Sequence, residues 1–116
     1  MIEMEFEFIL ILITIIIGML EIVMGVPLLL QKIKPNLLFG FRLPKTLSSE
    51  EVWYKSNVYV GRDFIIAGIV VVTGSLILLA FISELTILML TWIAVILLTV
   101  PMIAVIIRGV IYLKKL

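Results

Sequence analysis

An all-α membrane protein with three transmembrane helices is the fold class this sequence predicts, and three observations predict it. Of 116 residues, 64% are hydrophobic and only 15% charged, against about 45–50% and about a quarter in a soluble domain. Mean hydropathy is +1.36. The apolar residues are gathered into three long runs with the charged residues between and beside them. A globule of this size leaves roughly a third of its surface in water, too much to hide such an excess. A soluble enzyme, a secreted domain and a disordered tail do not fit this composition.

The first element is the run from Phe8 to Leu30, with Glu21 its only charge. It begins after Glu3, Glu5 and Glu7 and ends in Leu28-Leu29-Leu30-Gln31. A signal peptide has a basic start, a shorter apolar core and a small-residue cleavage site, so this run is expected to stay in the protein as a span. The second run, Phe64 to Ile82, and the third, Leu85 to Ile107, carry no charge. At 1.5 Å per residue the three runs measure about 28–35 Å against a hydrocarbon core of about 30 Å. A helix satisfies its own backbone polar groups there. The second and third runs meet at Ser83-Glu84, which predicts a tight antiparallel helical hairpin. Pro27 and Pro101 fall inside the first and third runs, where membrane helices tolerate a kink.

Lys and Arg set the orientation. None precedes the first run, six lie between the first and second (Lys32, Lys34, Arg42, Lys45, Lys55, Arg62), none lies in the hinge, and three follow the last (Arg108, Lys114, Lys115). The positive-inside rule then predicts a multi-pass protein of the cell membrane, N-terminus outside, central segment and C-terminus cytoplasmic.

Residues 31–62 form that central segment. Lys34-Pro35-Asn36 and Leu43-Pro44 predict turn or extended backbone, because a residue before proline avoids the helical region. Ser48-Ser49-Glu50-Glu51 has capping-box spacing, with two acids suited to a helix N-terminus. A cytoplasmic helix between the first and second spans is therefore expected, beginning near Ser48 or Ser49. No proline intervenes before Ile82, so it can lead on into the second span. Along one such helix Trp53, Asn57, Gly61, Phe64, Gly68 and Ser75 share a face rich in small residues. Thr14, Gly18, Glu21 and Gly25 make a matching stripe on the first span, and the two faces are expected to pack.

Pro35-Asn36, Gly40-Phe41-Arg42, Pro44-Lys45-Thr46-Leu47-Ser48, Glu50 with Trp53, then Asn57 and Gly61 carry a family resemblance. The segment over about residues 32–68 resembles the SdpI family of small membrane proteins, which includes bacterial immunity proteins. The resemblance implies a non-enzymatic membrane protein that gives resistance to a membrane-active peptide toxin, or sequesters a cytoplasmic repressor, or both. It marks Asn36, Gly40, Arg42, Lys45, Thr46, Trp53 and Asn57 as candidates for the interaction surface.

The residues leave alternatives open. Glu21 is the one ionisable group inside a span, near mid-membrane, and no Lys or Arg lies within a span to pair with it. It fits either a protonated carboxyl bonded to a Thr or Ser of a neighbouring helix or a proton or ligand site that Arg42, folded up from the loop, would share. Arg42 and Lys45 serve either topology and headgroup contact or a specific anion or peptide contact. Trp53, Asn36, Asn57 and Gly40 serve either loop packing or binding, Gly40 through a positive φ or a close approach. Tyr54, Tyr59 and Tyr112 read as interface anchors.

Other chemistries are poorly served. With no Cys and no His, thiolate or imidazole metal sites, disulfides and the commonest bases are lacking, so no metal or cofactor is expected. The scattered basic residues do not make a nucleic-acid face. Three helices bury limited surface against one another, which leaves a homo-oligomer open. The rival reading is a small proton-linked transporter or permease subunit using Glu21; a structural subunit of a larger membrane complex is a third.

Overall fold

The computed structural model describes residues 2–116, with side chains from Glu5 onward, so the side chain of Glu3 in the acidic start lies outside the described residues. Three helices account for most of the chain: α1 (Ile2–Leu29), α2 (Glu50–Ala80) and α3 (Ile87–Lys114). Short 3-10 turns at Thr46–Ser48 and Ile82–Glu84 precede α2 and α3. All three helices are long and apolar enough to cross a membrane, and the molecule is elongated, 54 × 23 × 20 Å.

A separate cytoplasmic helix between the first two spans is not present. Residues 50–80 form one unbroken helix, because the chain carries no helix breaker across the expected junction. Gly61 and Gly68 sit where the α1 backbone presses close, Gly74 sits against the Leu97 side chain, and none of them interrupts it. At 1.5 Å per residue α2 is about 46 Å long, well beyond a hydrocarbon core of about 30 Å. Its first turns therefore project past the apolar run and give the central segment something to fold on.

The start of α2 also differs in detail from the capping-box reading. Ser49 is the N-cap, its hydroxyl accepting from the Val52 amide at 3.1 Å. Ser48 instead donates to the Lys45 carbonyl, closing the 3-10 turn. At the far end, Thr86 caps α3 by accepting from the Met89 amide at 3.2 Å, and the hairpin expected between the second and third spans is formed.

The middle helix α2 packs chiefly on α1 and secondarily on α3. The predicted small-residue faces make the first contact. A Cβ added at Gly68 would lie 2.5 Å from the Gly18 carbonyl oxygen, and one at Gly25 would lie 2.7 Å from that of Gly61. The two glycine pairs are spaced seven residues apart on each helix, so the antiparallel backbones touch twice, two turns apart. Without side chains at these points the helices gain close van der Waals packing, the main attraction available in lipid. Nearer the hairpin, Ser75 donates to the Thr14 hydroxyl at 2.8 Å, and Thr14 donates to the Ile11 carbonyl at 2.7 Å. Ile11, Leu78 and Leu90 form a core at that end; Val60, Ala67 and Val105, with Phe41 against them, form another near the loop.

Helix α1 ends in a Schellman arrangement. The Lys32 amide bonds the Pro27 carbonyl at 2.9 Å and the Gln31 amide that of Leu28 at 3.2 Å. Gln31 takes φ +58, the left-handed conformation this motif requires and usually gives to glycine.

Candidate functional site

The central segment is folded on the projecting end of α2 by a set of side-chain to backbone hydrogen bonds. Asn36 builds a turn around itself: its carbonyl oxygen accepts from Leu38 (2.8 Å) and Phe39 (2.7 Å), and its amide donates to the Lys34 carbonyl at 2.7 Å. Thr46, fully buried, does the same for the next turn. Its hydroxyl accepts from the Leu43 amide at 2.7 Å and donates to the Leu43 carbonyl at 2.8 Å.

Two buried residues on the first turns of α2 then hold the segment down. Trp53 donates from Nε1 to the Ile33 carbonyl at 2.8 Å. Asn57 accepts from the Phe41 amide at 2.7 Å and donates to the Trp53 carbonyl at 2.9 Å. Gly40 lies against both. It adopts φ +116, and a Cβ there would come within 2.9 Å of the Trp53 ring and of Asn57 Oδ1. Positive φ and close approach, offered above as alternatives, are thus both required.

The segment covers a pocket of about 300 Å³ whose lining includes Gly40, Phe41 and Arg42 from the loop, Met24 and Leu28 from α1, Phe64 from α2, and Met102 and Ile106 from α3. Arg42 is at its rim, exposed, and bonds the Leu37 carbonyl through Nη1. Of the sequence candidates, Gly40, Trp53 and Asn57 come together in one cluster and Arg42 adjoins it. Asn36 and Thr46 shape the turns on either side. Lys45 stands apart, exposed, with no ion pair among the described residues.

Glu21 lies deeper. It is 4% exposed and its Oε2 has no hydrogen-bond partner among the described residues. The bond to a Thr or Ser of a neighbouring helix is not made: Ser75, on the facing stripe of α2, sits level with Thr14, two turns along α1 from Glu21. Arg42 does not reach it either. Met24, one turn along α1 from Glu21, lines the pocket. Among the acids outside the apolar runs, Glu51 is tied to Lys55 at 2.7 Å on the exposed start of α2. That hydrogen bond and charge hold the Glu51 carboxyl below its usual range, which suits a surface ion pair rather than a working acid.

Two groups of residues escaped the sequence reading. Leu37 and Leu38, at the tip of the segment, are 76% and 89% exposed; a Leu-Leu pair outside the spans, directly after a predicted turn, was their signal. Asp63 is 7% exposed and bonds Arg108 Nε through Oδ2 at 2.7 Å, with Arg62 Nη2 3.5 Å from Oδ1. Beside it Tyr59 stacks on Tyr112 with centroids 4.2 Å apart. A hairpin folded at Ser83-Glu84 brings Asp63 and Arg108 level with each other, so the pairing was present in the spacing.

These features define a class: a multi-pass α-helical membrane protein whose middle helix extends beyond its apolar run and carries a hydrogen-bonded loop over a pocket between the helices. The chain belongs to the SdpI/YfhL protein family, whose family model matches residues 32–112. That match takes in the central segment, all of α2 and most of α3. No curated protein and no solved structure matches the chain.

Proposed function

We propose that this protein is a non-enzymatic member of its family that binds a membrane-active peptide at the pocket beneath the central loop and thereby gives resistance to it. The pocket carries this reading. It joins the motif residues Gly40 and Arg42 to side chains on the membrane runs, Met24, Phe64, Met102 and Ile106, so a peptide lying in the bilayer reaches the motif without leaving lipid. Its walls are mostly apolar, as such a ligand needs, and Arg42 offers one cation for a peptide carboxylate. Leu37 and Leu38 extend the apolar surface beyond the rim. With the positive-inside orientation this loop faces the cytoplasm, where a repressor held at the membrane would meet the same Leu-Leu tip.

Survival of a sensitive host challenged with a membrane-active peptide tests this reading. Expression of the chain is expected to protect, and Leu38→Ser and Arg42→Ala are each expected to lose protection at unchanged membrane abundance. Both side chains are exposed, so neither change empties the core. Full protection by both variants overturns the proposal.

One observation favours a second reading, a proton-linked transporter: the buried, unpartnered Oε2 of Glu21. Intramembrane acids of this kind mark proton paths in many membrane proteins. In liposomes holding a pH-sensitive dye, that reading expects proton flux that Glu21→Gln abolishes. The peptide reading expects no flux and leaves Glu21→Gln protective.

A further inference from the structure

A second cavity lies away from the loop, on the α2–α3 side of the molecule. It is a groove of about 380 Å³ with Ile66 and Val70 on one wall, Val100 and Ala104 on the other, and Ala67 and Val105 among its lining. Ile66, Val70, Val100 and Ala104 are exposed, so the groove opens toward lipid. Its length from Arg108 to Val100 is about 12 Å along the helix, most of one leaflet's share of a hydrocarbon core of about 30 Å. The small side chains of Ala67 and Ala104 leave it hollow, and Pro101 stands within it.

One end is built differently. Arg62 and Arg108 both line the groove there, gathered on the single carboxylate of Asp63. Both guanidinium carbons also lie over the Tyr59 ring, 5.0 and 5.5 Å from its centroid, and that ring is braced by Tyr112. Two cations are thus held side by side with one acid between them, leaving the mouth with a net positive charge. Arg108 gives Asp63 its Nε, one of five N–H donors on a guanidinium. The arrangement sits where the apolar runs begin and end, at Phe64 and Ile107, which is headgroup depth.

We propose that this groove binds one anionic phospholipid, with an acyl chain along the apolar walls and the phosphate at Arg62 and Arg108. Charge complementarity selects this occupant. A zwitterionic lipid brings its own cation to a mouth already positive, and free phosphate leaves the apolar length uncovered. Basic pockets between membrane helices hold acidic headgroups by the same physics. The lipid would brace α3 against α2 beside the Asp63–Arg108 and tyrosine contacts and the Val60, Ala67 and Val105 core that close the hairpin there.

Native mass spectrometry of the purified protein, released from micelles containing equal phosphatidylglycerol and phosphatidylcholine with identical acyl chains, tests this. One phosphatidylglycerol per chain is expected to be retained in preference to phosphatidylcholine. Arg62→Gln, on an exposed side chain, is expected to reduce that preference about fivefold, the effect of one interfacial cation. Ala104→Phe fills the groove from its lipid-facing side, one turn from Arg108, and is expected to lose the retained lipid while keeping the wild-type helical content and, compared in lipid-free detergent, the wild-type thermal midpoint. Equal retention of the two lipids, undiminished retention in Ala104→Phe, or displacement by millimolar inorganic phosphate, which marks a headgroup-only anion site, would each overturn the proposal.

Discussion

Asn57 uses both ends of its amide, and each goes to the backbone it must hold: the oxygen to Phe41 of the loop, the nitrogen to Trp53 of its own helix. Its burial leaves no water to replace either partner, so Asn57→Ala leaves the Phe41 amide without its acceptor. The expected cost is about 1–3 kcal/mol, read as a lowered unfolding midpoint of the purified protein in detergent. Gly40 belongs to the same cluster, with a φ that favours glycine and a Cβ position already taken by Trp53. The identities of these residues marked the segment as specific. Their contacts could not be read from it, because Gly40 and Asn57 are seventeen residues apart and meet only once the chain has turned back over α2.

Elements are joined here by their ends as much as by their faces. The Schellman end of α1 places Gln31 in the left-handed region, where a Cβ costs roughly 1–2 kcal/mol relative to glycine. Gln31→Gly is therefore expected to stabilise the protein by about 1 kcal/mol in the same measurement. No midpoint change would mean that the C-terminal turn of α1 already frays in micelles. The start of α2 shows how local signals compete. Ser48 has the capping-box spacing to Glu51, yet Ser49 is the cap, because Thr46 and Ser48 are drawn into the preceding 3-10 turn. The packing stripes on α1 and α2 were legible because lipid removes the hydrophobic drive between helices and leaves small residues to show where backbones meet.

Over the whole molecule, α1 and α2 are locked by glycine contacts while α3 is held by side-chain contacts along its length, from Leu90 in one core through Leu97 against Gly74 to Val105 in the other and Arg108 on Asp63. Asp63 is the most exacting of these, a nearly buried carboxylate held by two arginines. Asp63→Asn keeps the shape but leaves Arg62 and Arg108 without their shared acid. It is expected to destabilise the protein by about 1–3 kcal/mol, and pairing it with Arg108→Gln in a double-mutant cycle isolates the coupling. Orientation belongs to this scale too. The chain has no cysteine, so single cysteines report cleanly. In intact cells the positive-inside reading expects Glu84→Cys to react with an impermeant thiol reagent, and Leu38→Cys to react only after the membrane is opened.

Composition and spacing were enough for whatever depends on the bilayer as solvent. Three spans, a tight hairpin and a pair of matching small-residue stripes follow from hydrocarbon thickness, backbone hydrogen bonding and residue size. These demands act locally and repeat at helical spacing. Tertiary structure alone decided the pocket under the loop, the unpartnered oxygen of Glu21 and the arginine pair on Asp63. Each joins residues from segments far apart in the chain, and each depends on which competing polar partner a side chain meets. Ser75 meets Thr14 and not Glu21, because antiparallel packing sets Ser75 level with Thr14, two turns along α1 from Glu21, and no local pattern carries that choice.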